Sequence, residues 1–308
     1  MSILAIDFGG TRTRVAWYSD DLEQLARDEI PTHAHEPTDR VIERIIELAR
    51  GVVPGGSPVA SIGICGSGPQ AYTGVILHAN SLPPHWHNTR FAEPISRAFG
   101  APAYMENDAN LAALAEYHFG AARGADPAIY LTISTGIGGG AIIGGRLFTG
   151  FRGLAIEPGH MKFMADDGRI YSLEQLACGR ALAEAAQRKL AATSTPSLLR
   201  EADRVDGKAV GEAAAQGDAL ALEVIQEAGR WLGLGLVNLI HLFNPQIIVV
   251  GGSVAQLGDL IFEPARRVIE EYLIDPAFNL PNLIRQAELG DDVCLVGAAL
   301  HARERSRT

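Results

Sequence analysis

The chain has 308 residues, of which 47% are hydrophobic and 20% are charged, and its formal net charge is -10. Because this length exceeds what one small core organises, we expect two domains, in an ordinary soluble globular protein. The acidic balance argues against nucleic acid as a partner, because no stripe of basic residues offsets it.

The sequence is expected to belong to a cytoplasmic protein without a membrane partner. The three cysteines Cys65, Cys178 and Cys294 lie far apart and form no C-x-x-C pair, so we interpret them as small buried residues in a reducing compartment. The N-terminus starts a strand at once, without a signal-like apolar segment. The apolar stretch WLGLGLVNLIHLF is too short to span a bilayer and predicts a buried helix.

β-Branched content and turn residues predict strands that alternate with amphipathic helices, which indicates an α/β fold. The predicted strands are 3–7, 13–18, 59–65, 101–105, 128–134, 139–144 and 246–250. The predicted helices are 38–50, 90–98, 108–120, 173–191, 218–243, 259–273 and 294–304. Two segments, LAIDFGGTRTRVAWY and IYLTISTGIGGGAIIGGRLF, share the order strand, glycine-rich turn, strand. This echo suggests duplicated halves whose turns face each other across a cleft.

The first glycine-rich turn follows a carboxylate. Asp7 ends an apolar strand, and Gly9, Gly10 and Thr11 come directly after it. The glycines are typical of a β-hairpin turn, which does not explain the acid. The alternative is a phosphate and metal site, in which backbone N–H groups and the Thr11 hydroxyl contact anionic oxygens and Asp7 faces hydrated Mg²⁺.

The second glycine-rich turn lies in STGIGGGAIIGG. Gly136 and the glycines after it either relax a hairpin or let phosphate oxygens approach the backbone, with Thr135 adding a hydroxyl donor. The Walker A pattern is absent, and a strand rather than a helix follows, so a dinucleotide dehydrogenase is disfavoured.

A third glycine turn follows the last predicted strand. Gly251, Gly252 and Ser253 come after NPQIIVV and before a predicted helix. The turn either borders a base or ribose at close backbone approach, or is only a tight turn of an α/β protein.

Polar side chains follow two other apolar segments. Asn107 and Asp108 start a helix after a short strand; one of them is expected to be the N-cap, and an aspartate there is a candidate to accept a proton from a substrate hydroxyl. Glu157 and His160 flank Pro158, which prevents a regular helix, so both are presented from a turn. They form either a surface ion pair or a pair that hydrogen-bonds adjacent sugar hydroxyls.

Taken in order, D-x-G-G-T, N-D-A-N, S-T-G-I-G-G-G, E-P-G-H and V-V-G-G-S resemble the ROK family of sugar kinases, in the hexokinase and actin-like ATPase superfamily, from Ile3 to about Ala302. The resemblance implies an α/β fold of two RNase H-like (actin-like ATPase) lobes flanking an interdomain cleft that holds ATP and sugar. It implies a small N-terminal lobe over 1–108, completed by the C-terminal helix 292–308, and a larger lobe over 109–291.

The resemblance also implies roles by position. Asp108 is similar to the general base that deprotonates the attacking sugar hydroxyl, and Asp7 is expected near Mg²⁺, through water. The positions that match sugar-binding residues are Asn80, Asn107, Asp108, Glu157, His160 and Glu174. The positions that match the nucleotide side are Asp7, Gly9, Gly10, Thr11, Thr135, Gly136, Gly251, Gly252 and Ser253.

One departure from the family concerns zinc. The family usually carries C-x-C-G-x-x-G-C between the histidine and the later glutamate, whereas MKFMADDGRIYSLEQ has no cysteine and Ser172 stands where the last would fall. Because a structural zinc site needs about four N or S ligands, we expect no bound zinc, a shortened loop held by packing, and a His160 that can hydrogen-bond the sugar.

The expected activity is that of an ATP-dependent hexose kinase, with glucose at its 6-hydroxyl as the first candidate substrate. Alternatives are N-acetylmannosamine, N-acetylglucosamine, fructose, allose or mannose as the sugar, polyphosphate as the donor, or a non-catalytic sugar sensor. Repressors of the family carry a helix-turn-helix before the first glycine turn; here that turn starts at Asp7, so we expect no DNA-binding domain. A homodimer is expected from the family alone.

Overall fold

Two five-stranded sheets with the same strand order organise the chain. The computed structural model describes residues 2–66, 68, 70–71, 74–77 and 82–307. The first sheet has the order β3-β2-β1-β4-β8 and the second the order β11-β10-β9-β14-β15. In each, an antiparallel meander ends on a central strand, and two strands parallel to that strand continue on its other side. The repeated topology agrees with the predicted internal echo.

The strands of the first sheet are β1 (Ser2–Phe8), β2 (Arg12–Tyr18), β3 (Gln24–Pro31), β4 (Val59–Gly66) and β8 (Ala103–Asn107). Those of the second are β9 (Ala128–Ile133), β10 (Ile137–Ile143), β11 (Arg146–Leu147), β14 (Ile247–Gly251) and β15 (Ile284–Gln286). Smaller sheets contain β5 (Gln70–Ala71), β6 (Val75–Ile76) and β7 (Thr89–Arg90), and the hairpin of β12 (Lys162–Met164) and β13 (Ile170–Ser172).

The α-helices of the described residues are α1 (Thr38–Val52), α2 (Ala92–Phe99), α3 (Asp108–Phe119), α4 (Leu173–Ala177), α5 (Gly179–Ala192), α6 (Gly207–Ala215), α7 (Ala219–Phe243), α8 (Asp259–Tyr272) and α9 (Val293–Ser306). The apolar stretch predicted to be a buried helix lies in α7, where Leu232, Leu236 and Ile240 are fully buried. Within the described part of the chain, no helix combines the length and apolar character needed to cross a membrane.

Helices α3 and α9 form the layer between the two sheets. They pack against each other, α9 lies on β1 and β4, and α3 lies on β9 and β10. The outer face of the first sheet packs on α1 and α2, and that of the second packs on α4 to α8. The N-terminus of α3, which begins at Asp108, therefore lies where the two halves of the molecule meet.

The predicted helix 173–191 is two helices. Cys178 is extended (φ -87°, ψ 171°) and separates α4 from α5, because the N–H of Gly179 donates to the carbonyl of Ser134 at 2.7 Å. The prediction also missed α6 and β3. Strand β3 is largely exposed and does not alternate polar with apolar residues, so its sequence lacks the strand period.

The glycines of β10 form a close-packed seam with α3. A Cβ on Gly140 of β10 would lie 2.9 Å from the carbonyl oxygen of Ala109, 2.9 Å from the Cβ of Ala113 and 3.0 Å from the Cα of Asn110. On Gly139 it would lie 2.5 Å from the Cγ of Pro158. These glycines lie inside a strand, so they serve close packing rather than a phosphate loop.

We expect Gly140→Ala to destabilise the fold by about 1–3 kcal/mol, since the methyl group overpacks backbone that cannot move aside. Urea unfolding measures the change. Gly51→Ala in α1 is the matched control: outside its neighbours and its own helix backbone, no atom lies within 4 Å of the added Cβ. Alanine is also favoured over glycine in a helix by up to about 1 kcal/mol. Equal stabilities of Gly140→Ala and the wild type would contradict this account of the seam.

Candidate active site

The start of α3 separates the roles of its first two polar residues. Asn107 is the N-cap: its Oδ1 accepts from the N–H groups of Ala109 (2.8 Å) and Asn110 (3.3 Å), while its Nδ2 donates to the carbonyl of Gly68 at 3.0 Å. Asp108 is the first helical residue, and its Oδ1 accepts from the Ala109 N–H at 2.8 Å. The carboxylate of Asp108 is thus not needed as the cap.

Asp108 has the electrostatics of a proton acceptor that works near neutral pH. Burial and, less strongly, the negative charges of Asp7 and Glu157 raise its pKa to about 6, against the hydrogen bond from Ala109. A carboxyl with a pKa near 6 is still ionised at pH 7 and is a stronger base than an exposed aspartate. The charges of Asp7 and Glu157 therefore both act on Asp108.

Asp7 lies at the end of β1 beside a cation. Its Oδ2 is 3.6 Å from an Nη1 of Arg14, the cross-strand partner of Asp7 on β2, and its side chain is 19% exposed. Burial raises the pKa of Asp7, whereas Arg14 and a hydrogen bond from Cys65 lower it. A half-buried carboxylate at a strand end is chemically suited to hydrated Mg²⁺.

The Gly9–Thr11 segment is a hairpin turn. Strands β1 and β2 pair up to Phe8 and Thr13, and the N–H of Gly9 donates to the carbonyl of Arg12 at 3.1 Å. Thr32 fastens the turn, because its hydroxyl donates to the carbonyl of Gly9 at 2.7 Å and its N–H donates to that of Thr11 at 2.9 Å. The backbone of this segment is thus the hairpin turn that the glycines indicate. Asp7 lies in β1 just before the turn.

Glu157 and His160 are presented from a single 3-10 turn, Pro158–His160, as Pro158 predicts. The His160 N–H donates to the Glu157 carbonyl at 3.1 Å, and both side chains are exposed. Partial desolvation raises the pKa of Glu157, as does the charge of Glu174, whereas the charge of His160 lowers it. The turn sits on β10 through the contact of Pro158 with Gly139.

Glu174 braces the second glycine turn. Its Oε2 accepts from the N–H of Ile137 at 2.9 Å, its Oε1 accepts from Arg180 at 2.9 Å, and a Cβ on Gly136 would collide with it. Glu174 lies in the first turn of α4, as expected of an acid there. Its carboxylate therefore links the turn that carries Thr135 to α4, and it is close enough to Glu157 to act on its charge.

Two cavities meet at the third glycine turn. The larger, of about 820 Å³, is bordered by Thr135, Ser253 and the N-terminal parts of α5 and α6; the smaller, of about 440 Å³, is bordered by Asp108, Gly251, Gly252 and Ser253. Gly252 has φ +90°, and a Cβ at this position would collide with the backbone of Ile133. Only glycine fits there, so the turn closes onto the end of β9.

The cavities do not include every predicted nucleotide residue. Gly9, Gly10 and Thr11 border neither cavity, and Gly136 is adjacent to Thr135 rather than part of the larger one. Asn80, predicted on the sugar side, lies outside the described residues.

Sequence reasoning missed three polar contributors. Arg180 and Gln256 border the larger cavity, and Gln256 also borders the smaller one. Glu116 is fully buried: its Oε1 accepts from the N–H groups of Glu288 and Leu289, each at 2.9 Å, and so holds the segment before α9 against α3. An acid among apolar residues of a predicted helix was the only signal for Glu116.

The segment that would carry the family's zinc motif is the β12–β13 hairpin. Asp167 in its turn accepts from the hydroxyl of Tyr171 at 2.8 Å and from the N–H of Arg169 at 2.9 Å. Phe163 packs edge-on against Trp231 of α7, with ring centroids 6.0 Å apart. Ser172 caps α4 in a capping box with Gln175. Hydrogen bonds and packing within the chain therefore hold this segment.

The family model described as the ROK family matches residues 3–305. The chain belongs to the ROK family. A glucokinase of Streptomyces coelicolor is 32% identical over 98% of this chain and 97% of its own length. The crystal structure of a ROK family glucokinase from Streptomyces griseus, in complex with glucose and AMPPNP, has a TM-score of 0.80 at 32% identity and covers 99% of this chain and all of its own.

ROK proteins similar to this chain are not all kinases. A putative xylose repressor of a Caldicellulosiruptor species is 26% identical over 85% of this chain and 68% of its own length. The structural likeness to ROK kinases confirms the predicted fold class, two RNase H-like lobes of the actin-like ATPase type.

The β12–β13 hairpin predicts that this ROK chain contains no structural zinc, since no cysteine lies between His160 and Cys178. Elemental analysis of protein purified without added metal or chelator should find zinc well below one equivalent per chain. Zinc-selective chelation should not lower sugar-dependent ADP release. Activity lost on chelation and restored by zinc but not by Mg²⁺ would show the interpretation of the hairpin to be wrong.

Proposed function

We propose that the chain is an ATP-dependent hexose kinase, with glucose at its 6-hydroxyl as the first candidate acceptor. The observation that carries the proposal is Asp108, a carboxylate with a raised pKa that borders a cavity shared with the Gly251–Ser253 turn. The glucokinases among its relatives support the choice of sugar.

Asp108 is proposed as the general base. The sugar hydroxyl gives its proton to the carboxylate while its oxygen forms a bond to the γ-phosphorus and ADP departs. Its Oδ1 is held by the N–H of Ala109, so the other oxygen is oriented without a cost at the moment of reaction. Proton abstraction of this kind contributes about 10²–10⁴-fold in rate.

Glu157, His160, Asn107 and Asn80 are proposed to hold the sugar, so that one hydroxyl faces Asp108. Glu157 and His160 differ in hydrogen-bonding character, because the carboxylate only accepts whereas the imidazole can accept or donate. Positioning of the two reactants contributes about 7–11 kcal/mol to such transfers. Glu174 is proposed to contact the sugar as well, through carboxylate lone pairs that its hydrogen bonds with Ile137 and Arg180 do not use.

The larger cavity is proposed to take the base and ribose of ATP, with the phosphates reaching past Thr135 and Ser253 toward Asp108. The N-terminus of α5, at Gly179, borders this cavity, and the positive end of its helix dipole favours anionic oxygens there. Asp7 would hold Mg²⁺ through water, and that ion would neutralise charge on the transferred phosphoryl group. Gly9, Gly10 and Thr11 are proposed to contact the phosphates from the opposite hairpin.

The lobes are proposed to divide at 108/109, with helix 292–308 returning to the N-terminal lobe. In support, α9 packs on β1 and β4 of the first sheet. Closure of the lobes on bound sugar would exclude water and limit wasteful ATP hydrolysis. A homodimer stays a prediction, which sedimentation velocity would test.

The proposed activity predicts ADP release that depends on a hexose. A coupled assay should give the largest kcat/KM with glucose in a panel that includes mannose, allose, fructose, N-acetylmannosamine and N-acetylglucosamine. Asp108→Asn should lower kcat by about 10²–10⁴-fold with little change in sugar affinity. Asp39→Asn, on the exposed first turn of α1, is the matched control.

Two outcomes of this screen would count against the proposal. Sugar binding without sugar-dependent ADP release would indicate a sensor instead of a kinase. Turnover of Asp108→Asn within about threefold of wild type would remove Asp108 from the mechanism, because a general base contributes far more.

The raised pKa of Asp108 predicts the acid limb of the pH profile. The base works only when ionised, so kcat/KM should fall about tenfold per pH unit below about 6 and level off above it. Glu157→Gln should move this limb to lower pH, since the charge of Glu157 raises the pKa of Asp108. A limb near pH 4 in the wild type would contradict the assignment.

A further inference from the structure

Two cysteines that are remote in sequence meet beside Asp7. Cys65 on β4 is the parallel-strand partner of Asp7, and Cys294 lies in the first turn of α9. The carboxylate oxygen of Asp7 and the two Sγ atoms all lie within 4.8 Å of one another. Among the described residues, no other group of three histidine, cysteine or acidic side chains is close enough to hold a metal ion.

We propose that Asp7, Cys65 and Cys294 form a binding site for a thiophilic divalent cation, Zn²⁺ or Cd²⁺, whose occupancy withdraws Asp7 from the Mg²⁺–nucleotide. The site is separate from the β12–β13 hairpin, where the family's zinc motif would lie.

The spacing of the donor atoms suits such a cation. A tetrahedral zinc with bonds of about 2.3 Å to sulfur and about 2.0 Å to oxygen holds its donors about 3.5–3.8 Å apart. The three donors lie within 4.8 Å of one another and therefore need to close by about 1.3 Å at most, which side-chain rotation of the half-buried Cys294 can supply. Two sulfur ligands select soft cations over Mg²⁺ or Ca²⁺.

The charges at the site also balance. Binding releases the two thiol protons to solvent, so two thiolates and one carboxylate face a dication, and Arg14, 3.6 Å from Asp7, offsets the third negative charge.

A route to the site and an effect on the reaction both follow from its position. Cys294 borders the 440 Å³ cavity together with Asp108, and its Sγ is 3.8 Å from the Asp108 carbonyl oxygen. A fourth ligand, water or a phosphate oxygen, can come from that cavity. Because Asp7 cannot serve both cations, the soft cation should compete with Mg²⁺–ATP. This consequence alone rests on the proposed kinase function.

The deciding experiment is a Cd²⁺ titration of the reduced full-length chain without nucleotide or sugar. We expect one Cd²⁺ per chain, with the ultraviolet charge-transfer band of cadmium–thiolate bonds. Cys294→Ala should weaken binding by more than about tenfold, because even outer-shell partners of a metal are worth 10–100-fold. Asp7→Asn should weaken binding and keep the charge-transfer band. Cys65→Ser should halve the intensity of that band.

Cys178→Ser is the matched control. Cys178 caps α5 through the Ala181 N–H at 3.4 Å, a role that serine preserves, and it should bind Cd²⁺ as the wild type does. Thermal unfolding of every variant checks its fold; if Cys65→Ser is unfolded, Cys294→Ala decides. Binding unaffected by Cys294→Ala, or lost equally in Cys178→Ser, would overturn the proposed site.

An activity arm separates this proposal from the kinase assignment. In excess Mg²⁺, Zn²⁺ should inhibit the wild type, and each variant's inhibition is compared with its own uninhibited rate. Cys294→Ala should need more than about tenfold more Zn²⁺. Chelation should then raise the activity of the zinc-inhibited wild type, whereas removal of a structural zinc would lower activity. Cd²⁺ binding without any hexose-dependent turnover would refute the kinase and leave the metal site standing.

Discussion

Helix α3 lies close to strand β10, because Gly140 has no side chain and faces the backbone of Ala109 and Asn110. The other features of the cleft follow from this contact. It sets the start of α3, and with it Asp108, at a fixed height over the second sheet. The neighbouring Gly139 admits Pro158 in the same way, so the turn that carries Glu157 is placed on the same strand. One strand thus aligns two carboxylates that are far apart in sequence.

The chemistry of Asp108 depends on a division of labour at the helix start. An N-cap must accept from backbone N–H groups, and a carboxylate so used has a lowered pKa. Here the neutral amide of Asn107 takes most of that role, so burial and the charges of Asp7 and Glu157 outweigh the single hydrogen bond from Ala109. The same residue pair in the opposite order would produce a weaker base.

Much of this architecture could be predicted because its signals are local. The strand and helix periods, the proline of the Glu157 turn and the glycines at strand ends are all visible in short windows. The break at Cys178 could not be predicted, because it depends on the hydrogen bond from Gly179 to Ser134, in the turn after β9. The meeting of Cys65 and Cys294 was equally hidden, because α9 returns from the far end of the chain to pack on the first sheet.

The two sheets share one strand order, yet their central hairpins differ in charge. The pair before the last in β1 and β2 puts Asp7 opposite Arg14, whereas the corresponding pair in β9 and β10 puts Thr132 opposite Gly138. In the proposed ATP site, two identical hairpins would present equivalent surfaces to a triphosphate, which could then bind in either of two opposite orientations. Here one hairpin carries the charged pair Asp7 and Arg14 and the other carries a hydroxyl and a glycine, so the two orientations are not equivalent. The backbone symmetry of the two sheets is kept, while their side chains distinguish one side of the cleft from the other.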